Sequence, residues 1–177
     1  MTAPRVPEGS APQGNAALAA IAMLSRVPSW LSSLPKRLWA KPKDGFLYSV
    51  TFPNLTAAGT ANATQSLPVQ IQSDSDFIIQ SLLRVATDAA TGRTFFDRVP
   101  VTVLLTDTGA GRTLSDGPVH IEAYMGDAQN PGWAPFPKRM GAASSLNVQA
   151  TNIGNVALNL RLYFAGFKVF GNFPDES

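Results

Sequence analysis

The chain has 177 residues, 45% of them hydrophobic and only 15% charged, with 14 Gly, 14 Pro, a single His and no Cys. That length suits one domain with a proper core, and a charged share well under the roughly 25% usual for soluble domains argues against disorder throughout. The lack of Cys excludes disulfides, thiolate-held metals and thiol nucleophiles, and one imidazole excludes multi-His metal sites and His–His relays.

The net charge of +2 averages two unlike parts. Residues 1–45 carry six basic and two acidic residues, a net +4, and residues 46–177 carry eight basic and ten acidic, a net −2. The body therefore lacks the clustered Lys and Arg that duplex nucleic acid requires.

Residues 1–15 are rich in Pro, Gly, Ala and Ser and read as an extended lead-in. Asn15 then caps a short predicted helix over 16–25, in which Ala17, Leu18, Ile21 and Leu24 share a face. The prolines and Glu8 before this run, and Arg26-Val27-Pro28 after it, do not fit a signal peptide, and the run is too short to span a bilayer. In residues 28–43, Trp30, Leu31, Leu34, Leu38 and Trp39 are interleaved with Lys36, Arg37, Lys41 and Lys43. A Pro-broken, apolar-basic arm of this kind cannot build its own core. Docking on a neighbouring subunit and packing on its own domain are both open, and Pro28, Pro35 and Pro42 disfavour a membrane-surface helix.

From Phe46 the period becomes two. Strands are expected over 46–52, 67–72, 76–87, 98–106, 118–125, 145–151 and 156–170, with turns at 88–93, 108–112 and 152–155. In 76–87 the expected inner face holds Phe77, Ile79, Leu83 and Val85, with Gln80 and Arg84 opposite. In 118–125 the inner residues are Val119, Ile121, Ala123 and Met125, and His120 faces outward. Residues 126–137 read as a long Pro/Gly loop around Trp133 and Phe136. In the last strand Leu158, Leu160, Leu162 and Phe164 share a face, and continuing that parity would bury Lys168. A β-bulge at Ala165-Gly166 is therefore expected there.

The chemistry-bearing residues form no catalytic set. His120 has no glycine-flanked Ser beside it. Asp74 and Asp76 read either as half of an oxygen-ligand calcium site or as a turn closed by side chains. The glycines of 108–112 lack phosphate-loop spacing, and the triplets at Asn54 and Asn62 match a glycosylation acceptor without a secretion signal to give it meaning. Trp133 and Phe136 suit a protein interface, sugar stacking, or packing over one end of the strands.

The order of Asp76–Ile79, Thr102–Gly109, Arg112–Leu114, the 126–137 loop, Ser145–Asn152 and the R-L-x-F-x-G-x-K pattern at 161–168 resembles small structural proteins of tailed bacteriophages. The likeness spans roughly residues 74–170. It implies an antiparallel β-sandwich that accompanies the major capsid protein as a cement or decoration subunit. The expected fold is thus all-β, a sandwich or jelly-roll-like body over 46–177 with an extended, partly helical arm at 1–45. The expected function is non-enzymatic: stabilising a phage head by binding the major capsid protein and copies of itself as a trimer. No cofactor, metal, direct nucleic-acid contact or membrane is expected, and the location is the virion, after assembly in the bacterial cytoplasm. The interface residues are expected to be Trp30, Leu34, Lys36, Arg37, Leu38, Trp39, Lys41, Trp133 and Phe136. The alternatives are a head–tail connector or tail component, and a carbohydrate-binding module using Trp133 and Phe136.

Overall fold

A period of two puts alternate side chains on opposite faces of a strand, and two such faces meeting make a core. A computed structural model describes residues 43–95, 98–127 and 130–170, with only the backbone described for Lys43 and residues 133–137. Its strands are β1 (Lys43–Leu55), β2 (Thr64–Gln70), β3 (Ser75–Asp88), β4 (Val101–Asp107), β5 (Arg112–Thr113), β6 (Val119–His120), β7 (Gly132–Met140), β8 (Ser145–Asn152) and β9 (Leu158–Phe170). The body is all-β, as expected. Every strand pairing is antiparallel, and the strands form two sheets, β1-β9-β3-β7 and β2-β8-β4-β5, with β6 also on β4.

One core lies between the sheets. Phe52, Phe77, Leu160, Leu162 and Phe164 of the first sheet and Val101, Val103, Leu105, Leu146 and Val148 of the second are all essentially buried. β4 and β8 alternate strictly between buried and half-buried positions, as their sequence pattern predicts. Asn152 closes one end of the core. Its Nδ2 donates to the carbonyls of Leu55, Thr56 and Val156, and its Oδ1 accepts from Gly154 N, so one buried side chain ties three segments together.

Several expectations need correcting. The turn at 88–93 forms, with the Asp88 carboxylate accepting from Ala90 N and Thr91 N, but it does not join β3 and β4 as a hairpin; β4 lies in the other sheet. Residues 118–125 are not one strand. After β6 the chain makes a 3-10 turn over Ile121–Ala123 that buries Ile121 and Met125 and leaves Ala123 exposed. Residues 132–140 are a strand, β7, where a loop is expected. As the edge of its sheet, β7 tolerates Pro135 and Pro137, which would disrupt a central ladder.

The bulge lies on β3 and not on β9. Ile79 pairs with Gly166 and Ser81 with Ala165, so Gln80 is the extra residue. Beyond it the faces exchange. Leu82 and Ala86 join the main core, Arg84 pairs with inward-facing Leu162, and Leu83 lies on the outer face with Ala165. β9 keeps its parity and buries Lys168 on the core side, opposite Phe77. The helix expected over 16–25 lies outside the described residues.

Candidate interaction surface

Lys168 is 5% exposed, and its partners explain how it stays there. Its ammonium sits 4.3 Å from the centroid of the Phe46 ring, donates to Gln72 Oε1, and lies 3.3 Å from Asp74 Oδ2. The Ser75 hydroxyl, and after it Lys168, hold the Asp74 carboxyl below its ordinary range. Asp76, two residues on, pairs instead with Arg139 of β7 (2.9 Å) and accepts from Ala142 N. The two aspartates thus serve separate ion pairs, and among the described residues no three His, Asp or Glu side chains group around a metal position.

At the other end of β3, Arg84 Nη2 donates to Glu122 Oε1 (3.1 Å), which also accepts from Val99 N (2.8 Å). His120 is 39% exposed, and its Nδ1 lies 3.6 Å from Glu122 Oε2. The one imidazole is therefore built into a closure between the two sheets, with carboxylate and guanidinium as its neighbours. Asp107 pairs with Lys138 (2.9 Å). Burial pushes the Asp107 carboxyl up, but hydrogen bonds from Lys138 and Ala110 N outweigh it and hold the group below its ordinary value.

The outer face of the first sheet differs from these polar ends. Cross-strand partners share a face, so the register puts Leu47, Ser49 and Thr51 of β1, Arg161, Tyr163, Ala165, Phe167 and Val169 of β9, and Ile78, Leu83 and Val85 of β3 together on the side away from the core. Leu83 and Ala165 are buried there, with Leu47 and Tyr163 packed against them as a second apolar cluster. Near the Tyr163 end a groove of about 350 Å³ is lined by Thr51, Pro53, Val85, Thr87, Thr94, Asn159 and Arg161 among others. Arg161 Nε donates to Thr51 Oγ1 (3.1 Å), and Asn54 N donates to Asn159 Oδ1.

Sequence reasoning missed this face because the β3 bulge, which puts Leu83 on it, leaves no clear mark in an apolar run. Of the expected interface residues, Trp30, Leu34, Lys36, Arg37, Leu38, Trp39 and Lys41 lie outside the described residues. Trp133 and Phe136 fall in β7, with Trp133 in register with Ser81. No described helix is long and apolar enough to cross a membrane.

No family model matches the chain, and no curated protein matches it. Among solved structures it is similar to dimeric latent PorU from Porphyromonas gingivalis, at 11% identity and a TM-score of 0.35. That match covers 76% of this chain and 14% of the other, and at this level it carries no argument about fold or function.

Proposed function

We propose that the chain is a non-enzymatic structural protein of a phage particle, a jelly-roll-like β-sandwich that binds the major capsid protein as a cement or decoration subunit. Leaving out the two-residue β6, the strands run first, eighth, third, sixth in one sheet and second, seventh, fourth, fifth in the other. This is the order of a double Greek key, an arrangement that viral capsid domains use. Fold-level likeness does not by itself give function. The observation that carries the reading is the pair of strand edges this order leaves together. β1 and β2 are the first strands of their sheets, lie next to each other, and have no partner on their outer edges among the described residues. Alternate residues of β1 and of β2 thus turn backbone groups outward along one side of the molecule, the means by which strands add across a subunit contact.

The test uses the tagged full chain in the bacterium that produces the particles. Particles banded by density should carry it, and a low-resolution map should place it as a trimer at threefold junctions of the head. Ser49→Lys with Ser66→Lys, which adds charge along both edges, should reduce its occupancy without lowering its melting temperature. A sixfold or twelvefold ring position would reassign it to a connector, and absence from particles would overturn the reading. A carbohydrate-binding reading is favoured by one observation, the Tyr163 groove with its hydroxyl, amide and guanidinium lining. Signal on a glycan array that disappears in Tyr163→Ala would select it.

A further inference from the structure

Three strands build the groove at the Tyr163 end of the first sheet. Asn159, Arg161 and Tyr163 stand at alternate positions of β9, the middle strand of the three, and form the floor. Thr51 and Pro53 of β1 make one wall and Val85 and Thr87 of β3 the other, with Thr94 bridged to Thr87 beyond them. The volume of about 350 Å³ falls within the roughly 300–1,000 Å³ of small-ligand sites.

The chemistry of this groove is one-sided. Among the described residues no Asp or Glu lines it, and its one charge is the Arg161 guanidinium. Arg84, Lys138, Arg139 and Lys168 are each tied to a carboxylate, whereas Arg161 has no ion pair among the described residues. Its Nε donates to Thr51 Oγ1 (3.1 Å), which fixes the plane of the fork and leaves both Nη groups as donors. Asn159 is held in the same way: its Oδ1 accepts from Asn54 N (2.9 Å), and its Nδ2 remains to donate. The half-buried Tyr163 packs against Leu83 and Ala165, which makes its ring a fixed apolar platform with a hydroxyl at the tip.

We propose that this groove binds a uronic acid unit of an acidic polysaccharide. The sugar carboxylate sits on the Arg161 Nη groups, ring hydroxyls meet Thr87 and Asn159, and the apolar face of the sugar lies on Tyr163. A planar carboxylate matches a guanidinium fork, and a lining of hydroxyls and an amide suits a ligand dense in hydroxyls. A peptide carboxylate suits it less. A bound peptide gains its affinity from backbone hydrogen bonds to a free strand edge, but β9 is paired on both sides and Thr94 takes the place beside Thr87. Nucleic acid calls for clustered cations, and the groove offers one. The proposal rests on the sugar reading of this groove and narrows it to acidic sugars; it is independent of the capsid reading.

The test titrates the full, nitrogen-15-labelled chain with short oligomers of galacturonate, of mannuronate and of hyaluronan, with their methyl esters and with galactose oligomers as the neutral match. At least one acidic oligomer should bind about tenfold or more tighter than its ester, the range of a charge-assisted contact, and should shift the amides of Thr51, Val85, Arg161 and Tyr163. Arg161→Gln should abolish that preference and, because Arg161 is exposed, should melt within about 2 °C of the unchanged protein. No binding by any of the three acids, a preference that survives in Arg161→Gln, or shifts confined to another face would overturn the proposal. Equal binding of acid, ester and neutral oligomer would also overturn it while leaving the sugar reading in place, and no binding by any sugar would end both. The assay does not involve particles, so its failure is separable from failure of the capsid reading.

Discussion

Gly166 is a position where the fold leaves no room for a side chain. It lies in β9 between Phe46 of β1 and Ile79 of β3, just where the extra residue Gln80 pushes the β3 backbone toward its neighbour. A β-carbon added there would meet the Ile78 carbonyl oxygen at 1.9 Å, the Ile78 carbonyl carbon at 2.9 Å and Phe77 Cζ at 3.1 Å. Carbon and oxygen approach without strain at about 3.3 Å, so roughly 1.4 Å of separation is needed, and the obstacle is backbone with no rotamer to escape into. Overpacking costs about 1–3 kcal/mol, and a clash with main chain belongs at the upper end. Replacing Gly in a strand returns about 0.5–1 kcal/mol of backbone entropy. Gly166→Ala should therefore lose about 2 kcal/mol, which for a body of this size lowers Tm by about 8 °C in a far-UV circular dichroism melt. Gly117→Ala and Gly141→Ala, which meet nothing within 4 Å, should stay within about 0.5 kcal/mol of the unchanged protein. If Gly166→Ala melts within about 2 °C of those controls, the bulge does not bring β3 onto β9 as described.

Substitutions at three further positions probe the polar closures. Asn152→Ala leaves the Leu55, Thr56 and Val156 carbonyls without their donor and should cost about 2–3 kcal/mol in urea unfolding; Asn152→Asp, which turns oxygen toward them, should cost more. Lys168→Met removes the ammonium from the Phe46 ring but keeps an apolar side chain in its place and leaves Asp74, 54% exposed, to water, so it should lose only about 1 kcal/mol, whereas Lys168→Glu next to Asp74 should cost clearly more. Asp107 has a depressed folded pKa, so its bonds stabilise fully above the unfolded value near 3.9 and are lost as pH falls through the lower folded value. The urea midpoint of Asp107→Asn should thus fall below that of the unchanged protein at pH 7, with the gap narrowing below about pH 4. A gap equal at pH 7 and pH 3 would count against the Lys138 pairing.

How legible each strand was depended on how many of its faces are buried. β4 and β8 alternate, so the inward residues Val101, Val103 and Leu105, and Leu146, Val148 and Ala150, follow from parity alone. In β9 parity predicts a buried lysine, and a bulge at Ala165-Gly166 is the way sequence reasoning avoids it. The structure buries Lys168 because Gln72, Asp74 and the Phe46 ring, each at least 94 residues away in sequence, supply its partners. Periodicity within one strand carries no trace of such partners. The glycine nevertheless marked the right place, since Gly166 faces the bulge that sits on the neighbouring strand.

β3 is the reverse case, and it bears on the site. Phe77-Ile78-Ile79 and Leu82-Leu83 are apolar on both parities, so no period can be read across Gln80, and the exchange of faces leaves no mark in the sequence. A continuous apolar run in a strand is itself informative, however: it is the pattern of a strand covered on both sides. In β3 both parities are buried from Ser75 to Arg84, polar Gln80, Ser81 and Arg84 included, so the run marks a central strand even where its parity cannot be read.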